Sequence, residues 1–173
     1  MGRVRTRRFD RDERGTSAVE FALLVPVLLL LLVGTVTLFD LFRTHQNVEK
    51  ATFTLSDMLS REQTINQAKL NDMLALLRNM VPSSGTGGLR VSSIVKSQGA
   101  FSVRWSRSVG SNVPTTPLPG SVLPDIAEGD SVLLTESFVP YRAFVDWFTV
   151  DFITFTGQSA QRPRIVSEIR YVP

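Results

Sequence analysis

The sequence predicts an α+β protein in which a long N-terminal transmembrane helix continues into a small domain with a second helix and an antiparallel sheet. Three observations predict it. An uncharged run extends from Phe21 to Phe39, apolar residues keep recurring at helical spacing beyond it, and after Gly88 the apolar period shortens to that of strands.

The first element is a charged leader. Residues 1 to 14 hold Arg3, Arg5, Arg7, Arg8, Arg11 and Arg14 against Asp10, Asp12 and Glu13, which is the whole net charge of +3. The rest of the chain is formally neutral, so the high isoelectric point reflects the leader and not a basic nucleic-acid face; no nucleic-acid partner is expected.

The second element follows at once. The 19 uncharged residues from Phe21 to Phe39, with an unbroken Leu28 to Leu32, would span about 28 Å as a helix, enough for a bilayer core. A cleaved secretory signal has a shorter apolar region and a small-residue cleavage site, and Leu38, Phe39, Asp40 and Leu41 supply none. Arg on the N-terminal side then places residues 1 to 14 in the cytoplasm and everything after about Asp40 outside it.

Beyond the membrane the helix is expected to continue, with Leu41, Val48, Ala51, Leu55 and Met58 forming one stripe. Ser60 with Gln63 offers a capping box for a second helix, whose apolar face is Leu70, Met73, Leu74, Leu77, Met80 and Val81 and whose stop is Pro82. The stretch 83–88 reads as a flexible Gly/Ser connector. Leu89 to Lys96 and Ala100 to Arg107 then form a hairpin, the Pro-rich stretch 110–130 a long loop, and Ser131 to Pro140 and Arg164 to Val172 further strands, with Phe152 to Thr156 a candidate fifth. The expected organisation is a leader at 1–15, the membrane helix and its extension at 16–59, and the α+β domain at 60–173.

Composition excludes much chemistry. There is no Cys and a single His, His45, so disulfides, thiolate sites, His-based triads and multi-His metal sites are all ruled out. His45 is expected as a solvated side chain on the extension helix. Asp125, Glu128 and Asp130 lie close together but without the spacing of a Ca²⁺ loop, and are read as a solvated turn. Gly85, Gly87 and Gly88 lack the Lys and Ser/Thr of a phosphate loop. No catalytic constellation, metal site or cofactor is expected.

The border between leader and helix reads Arg14, Gly15, Thr16, Ser17, Ala18, Val19, Glu20, Phe21. This resembles the prepilin cleavage motif, in which a basic leader ends in Gly and a Glu stands at the fifth mature position. Gly15 lets the backbone extend into a protease site with no Cβ in the way. Glu20 is a carboxylate at the start of a membrane helix, disfavoured there without a partner. In pilin-like proteins the partner is the α-amine of a neighbouring subunit, which cleavage after Gly15 would expose on Thr16; a helix-dipole role for Glu20 is the plain alternative. The stretch Arg14 to Val33, with Phe21 after Glu20 and an early Pro26, resembles the N-terminus of TadE-like proteins, the pilin-like minor components of the tight-adherence (Flp, type IVc) pilus system. The ending, from Tyr141 through ITFTG to Arg162, Pro163 and Arg164, resembles theirs more loosely.

The resemblance implies a pilin-like fold and a minor pilin or assembly component in the inner membrane, with a periplasmic C-terminal domain and access to the extracellular pilus. The partners it implies are a prepilin peptidase, other pilin-like subunits, the major pilin and an inner-membrane assembly platform. The competing reading is an uncleaved, signal-anchored periplasmic binding or scaffold protein. One dense aromatic stretch, Phe138, Tyr141, Phe144, Trp147, Phe148, Phe152 and Phe155, fits either the domain core or a docking patch. Asp146 and Asp151 within it argue against full burial; Tyr141, Phe144, Trp147 and Phe148 are the candidate contacts with other subunits.

Overall fold

The computed structural model describes residues 15–82, 85–116, 122–141 and 153–173. The leader arginines and the aromatic stretch 142–152 lie outside the described residues. Helix α1 runs unbroken over Thr16–Ser60, 45 residues, and passes through Pro26. Two compact units divide at Phe39 and Asp40. In the first unit the Leu, Val and Phe side chains are exposed on all sides of the helix, as suits a segment whose solvent is lipid. Its polar side chains serve themselves: Thr35 Oγ1 donates to the Leu31 carbonyl at 2.7 Å and Thr37 Oγ1 to that of Val33 at 2.9 Å.

In the second unit the chemistry of α1 becomes one-sided. Val48, Ala51, Thr52, Leu55, Ser56 and Leu59 are fully buried. Met58, expected in this stripe, is exposed, because Leu59 lies nearer the centre of the buried face as the helix advances by 3.6 residues per turn.

The second helix, α2, spans Gln67–Met80 and is capped by Asn66, whose side chain accepts a hydrogen bond from the Lys69 amide at 2.8 Å. The expected start at Ser60 and Gln63 is therefore wrong. Ser60 ends α1 and spends its hydroxyl on the Asp57 carbonyl, and the chain next forms a two-residue strand, β1, Thr64–Ile65. Leu70, Met73, Leu74 and Leu77 face the core as expected, and the Val81 amide closes the last turn on the Leu77 carbonyl at 2.8 Å before Pro82.

Strands β2 (Gly88–Ser97), β3 (Ala100–Gly110), β4 (Ser131–Pro140) and β5 (Thr154–Gln161) form an antiparallel sheet in the order β3-β2-β4-β5. The β2–β3 hairpin turns on Gln98 and Gly99, both with positive φ, the two-residue geometry whose twist matches that of the strands. Gly88 is not part of a free connector. A Cβ there would run into the Ser111 carbonyl and Val113, and the Gly87 carbonyl accepts from the Ser111 amide.

The expected strand from Arg164 to Val172 shrinks to β6, Arg170–Tyr171, which pairs with β1 in parallel and not with the main sheet. Side chains take over from a ladder here. Ser131 Oγ donates to the Ser167 carbonyl at 2.6 Å, and Trp105 Nε1 to that of Ile169 at 2.9 Å.

The core lies between one sheet face and the two helices, with Leu89, Val91, Leu133, Val139 and Phe155 against the buried sides of α1 and α2. Small residues let α1 settle onto β4 and β5. Thr52 Oγ1 bonds to Ser137 Oγ, Ser56 Oγ donates to the Ser159 carbonyl at 3.3 Å, and a Cβ on Gly157 would collide with Thr52. On the opposite sheet face Arg90 Nε donates to Glu136 Oε2 at 2.6 Å. Arg90 also donates to the carbonyls of Pro114 and Thr116, and Gln158 to the other Glu136 oxygen, so the buried pair ties the Pro-rich loop to the sheet.

A candidate assembly site at the start of the first helix

Gly15 immediately precedes α1, exposed, with nothing near the position a Cβ would take. Thr16 is the first helical residue, and Glu20 and Phe21 follow on the exposed surface of the apolar segment. The first turn contains no acidic residue, because Glu20 is fifth from the helix start. The favourable field of a helix N-terminus fades within the first turn, so the helix-dipole account of Glu20 is weak here. Among the described residues no cation reaches Glu20. Gly15, Thr16, Glu20 and Phe21 thus lie within seven consecutive residues and are exposed, at the start of a helix long and apolar enough to cross a membrane.

The aromatic candidates divide. Tyr141 is 1% exposed, stacks edge-on against Phe155 at 5.5 Å and donates its hydroxyl to Asp40 Oδ2 at 3.0 Å. It is core, and its position shows how the sheet holds the start of the second unit's helix. Burial, and then the bond to Asp40, push its phenol up to about 12. Phe138 and Phe155 are also buried. Phe144, Trp147 and Phe148 lie outside the described residues.

His45 is half-buried and not freely solvated. Its ring packs on Phe155 at 5.3 Å, Nε2 lies 3.5 Å from Glu49, and the covered Nδ1 has no hydrogen-bond partner among the described residues. The three loop acids each serve a structural contact. Asp125 pairs with Lys96, whose hydrogen bond and charge hold its carboxyl below the usual value; Glu128 accepts from the Gly99 amide at 2.7 Å; Asp130 pairs with Arg162 at 3.1 Å. The pair of Arg90 and Glu136 escaped the sequence reading. The available signal was Glu136 as the lone charge of β4 and Arg90 set between the apolar Leu89 and Val91 of β2.

A family model described as TadE-like protein matches residues 15–57, nearly the whole of α1. No curated protein and no solved structure matches the chain. Over residues 15–57 the long apolar helix is thus similar to that of TadE-like proteins, and the likeness stops short of the sheet unit.

Proposed function

We propose that the protein is a minor pilin or assembly component of a Tad-type (type IVc) pilus, released from its leader by a prepilin peptidase between Gly15 and Thr16 and acting through association with other pilin-like subunits. The observation that carries this reading is Glu20, which stands beyond the first helical turn in a lipid-exposed apolar segment with no cation from the described residues. An unpaired carboxylate in that setting costs on the order of a few kcal/mol, which a cation from a second subunit would offset. The Thr16 α-amine of a neighbour is that cation once the leader is gone. Gly15, exposed and unencumbered, supports access for the peptidase. The proposed topology keeps the leader in the cytoplasm and the sheet unit in the periplasm, and any docking by the aromatic stretch falls to Phe144, Trp147 and Phe148.

The test is Glu20→Ala in a host that makes the pilus and its peptidase. Membrane insertion and processing to Thr16 are expected to persist, because Ala is easier than Glu to place in lipid, while pilus assembly is lost. Normal piliation would reduce Glu20 to a local feature of the helix. N-terminal sequencing of assembled material that still carries Arg3 to Arg14 would favour the uncleaved anchor.

A further inference from the structure

The main sheet has two outer edges, and their chemistry differs. The β3 edge carries Arg104 and Arg107, and its pairing with β2 shifts between Ser93 and Ile94, leaving Arg104 as the extra residue of a bulge. Edge charges and bulges are the features that keep a sheet from pairing with a further strand. The β5 edge has neither. Its eight residues, Thr-Phe-Thr-Gly-Gln-Ser-Ala-Gln, hold no charge and no Pro, and it runs in register with β4 from end to end. Among the described residues no strand pairs with its far side. Next to it, Phe53 of α1 is 58% exposed, and a shallow cleft lined by Glu49, Lys50, Phe53, Thr54 and Gln158 joins helix to strand.

We propose that β5 is a strand-addition site for a second copy of this chain, the two β5 strands pairing antiparallel across a twofold axis. Strand addition takes its affinity from main-chain hydrogen bonds, so the side chains mainly decide which partners are rejected. A charged strand would lie against an uncharged edge and the exposed Phe53 ring with no counter-charge from β5, whereas a partner that is itself uncharged, free of Pro and open on one side meets no penalty. Within this sheet β5 alone meets that description, and a second copy presents it again. In an isologous pairing each residue meets its symmetry mate's partner, and no register of β5 on β5 sets like charges opposite each other. This does not rest on the pilus reading.

The chain has no Cys, so single cysteines report the contact cleanly. In the full chain purified in mild detergent, cysteines placed one at a time at Thr156, Gln158 and Ala160 are expected to give oxidised dimers, strongest at the position nearest the axis, while Val103→Cys on β3 gives none. Thr156→Lys, at an exposed position, puts a charge on each copy's edge where β5 offers no counter-charge, and is expected to weaken self-association in sedimentation equilibrium roughly tenfold with the unfolding midpoint unchanged. A chain that is monomeric at all concentrations, cross-links as strong from β3 as from β5, or a dimer that is indifferent to Thr156→Lys would each overturn the proposal. None of these readouts involves leader cleavage or piliation, so its failure leaves the Glu20 test untouched.

Discussion

The two halves of α1 share one backbone helix and almost nothing else. In the first half most side chains around the helix are exposed and apolar, with Thr37 buried, and the threonines Thr35 and Thr37 bond to their own preceding turn. In the second half one side is sealed against β4, β5 and α2, and Thr52 bonds both to its own turn and to Ser137. The difference teaches that hydrophobicity does two jobs in this helix. Before Asp40 it sets what solvent surrounds the chain; after Asp40 it sets which protein atoms lie next to which. The TadE-like match covers both jobs and stops at residue 57, just short of the end of the helix.

The largest effect that would break this comparison is a matched pair of truncations. Leu55→Ala removes a fully buried side chain from the core and is expected to cost about 2 to 5 kcal/mol of domain stability, the usual range for a Leu cavity. Leu30→Ala removes the same atoms from a lipid-exposed site and is expected to leave the unfolding of the sheet unit unchanged. Urea unfolding of the full chain in mild detergent, followed by Trp fluorescence, measures both. Equal losses would mean that the first half is also packed within the protein.

The buried ion pair extends the contrast to charge. Glu136 is 1% exposed and held by Arg90 and Gln158, whereas Glu20 has no such support among the described residues. Glu136→Ala strands the Arg90 guanidinium and is expected to cost about 3 to 5 kcal/mol. Glu20→Ala is expected to cost the sheet unit nothing. Replacing both members of the pair, Arg90→Met with Glu136→Leu, is expected to recover much of the loss; if it does not, the two carbonyl contacts from Arg90 to the Pro-rich loop dominate. The same unfolding measurement reads all three variants.

A smaller effect compares two threonines. Thr52→Val removes a hydroxyl that meets Ser137 in the core, and is expected to cost about 1 to 3 kcal/mol because Ser137 loses its partner. Thr35→Val, whose hydroxyl only back-bonds to Leu31, is expected to be close to neutral. Similar costs for both would show that the local back-bond, and not the contact with the sheet, carries the energy.

The sequence made the two-job helix legible because period and charge are local properties. The uncharged run, the stripe through Val48, Ala51 and Leu55, the β2–β3 hairpin and β4 all follow from spacing within a few residues, and they stand where spacing put them. What failed depended on partners far along the chain. Asn66 caps α2 only because residues 61–65 are drawn into pairing with the C-terminus, an association with no mark in either segment alone. Residues 164–169 fall within the expected last strand, yet Ser131 and Trp105 take the carbonyls of Ser167 and Ile169. Tyr141 belongs to an aromatic run that fits core or docking patch alike, and its burial, its contact with Phe155 and its bond to Asp40, a hundred residues earlier, place it in the core. The border motif from Gly15 to Glu20 differs in kind, since the resemblance it carries lies within six consecutive residues and needs no distant partner.

The smallest expected effect lies at the junction of the two halves. Tyr141 donates to Asp40, the first charge after the apolar run, and its phenol is raised to about 12 by burial and by that bond. A group whose folded pKa exceeds its unfolded value of 10.0 contributes stability that is complete below pH 10 and is lost as pH climbs toward 12. Tyr141→Phe keeps the ring and its stacking on Phe155 but removes both the hydrogen bond and the titration. At pH 7 the variant is expected to be less stable by about 1 kcal/mol, the ordinary net worth of such a bond. That gap should hold to about pH 10, then narrow, close and change sign before pH 12, because a rise from 10.0 to about 12 is worth roughly 2.7 kcal/mol, more than the bond, and only the Tyr form is penalised by having to ionise in a buried site. All other titrating groups are common to both proteins, so the difference between their unfolding curves isolates this one. A gap that stays constant between pH 9 and 12 would show that the hydroxyl ionises as freely folded as unfolded, and that Asp40 is tied to the sheet by packing alone.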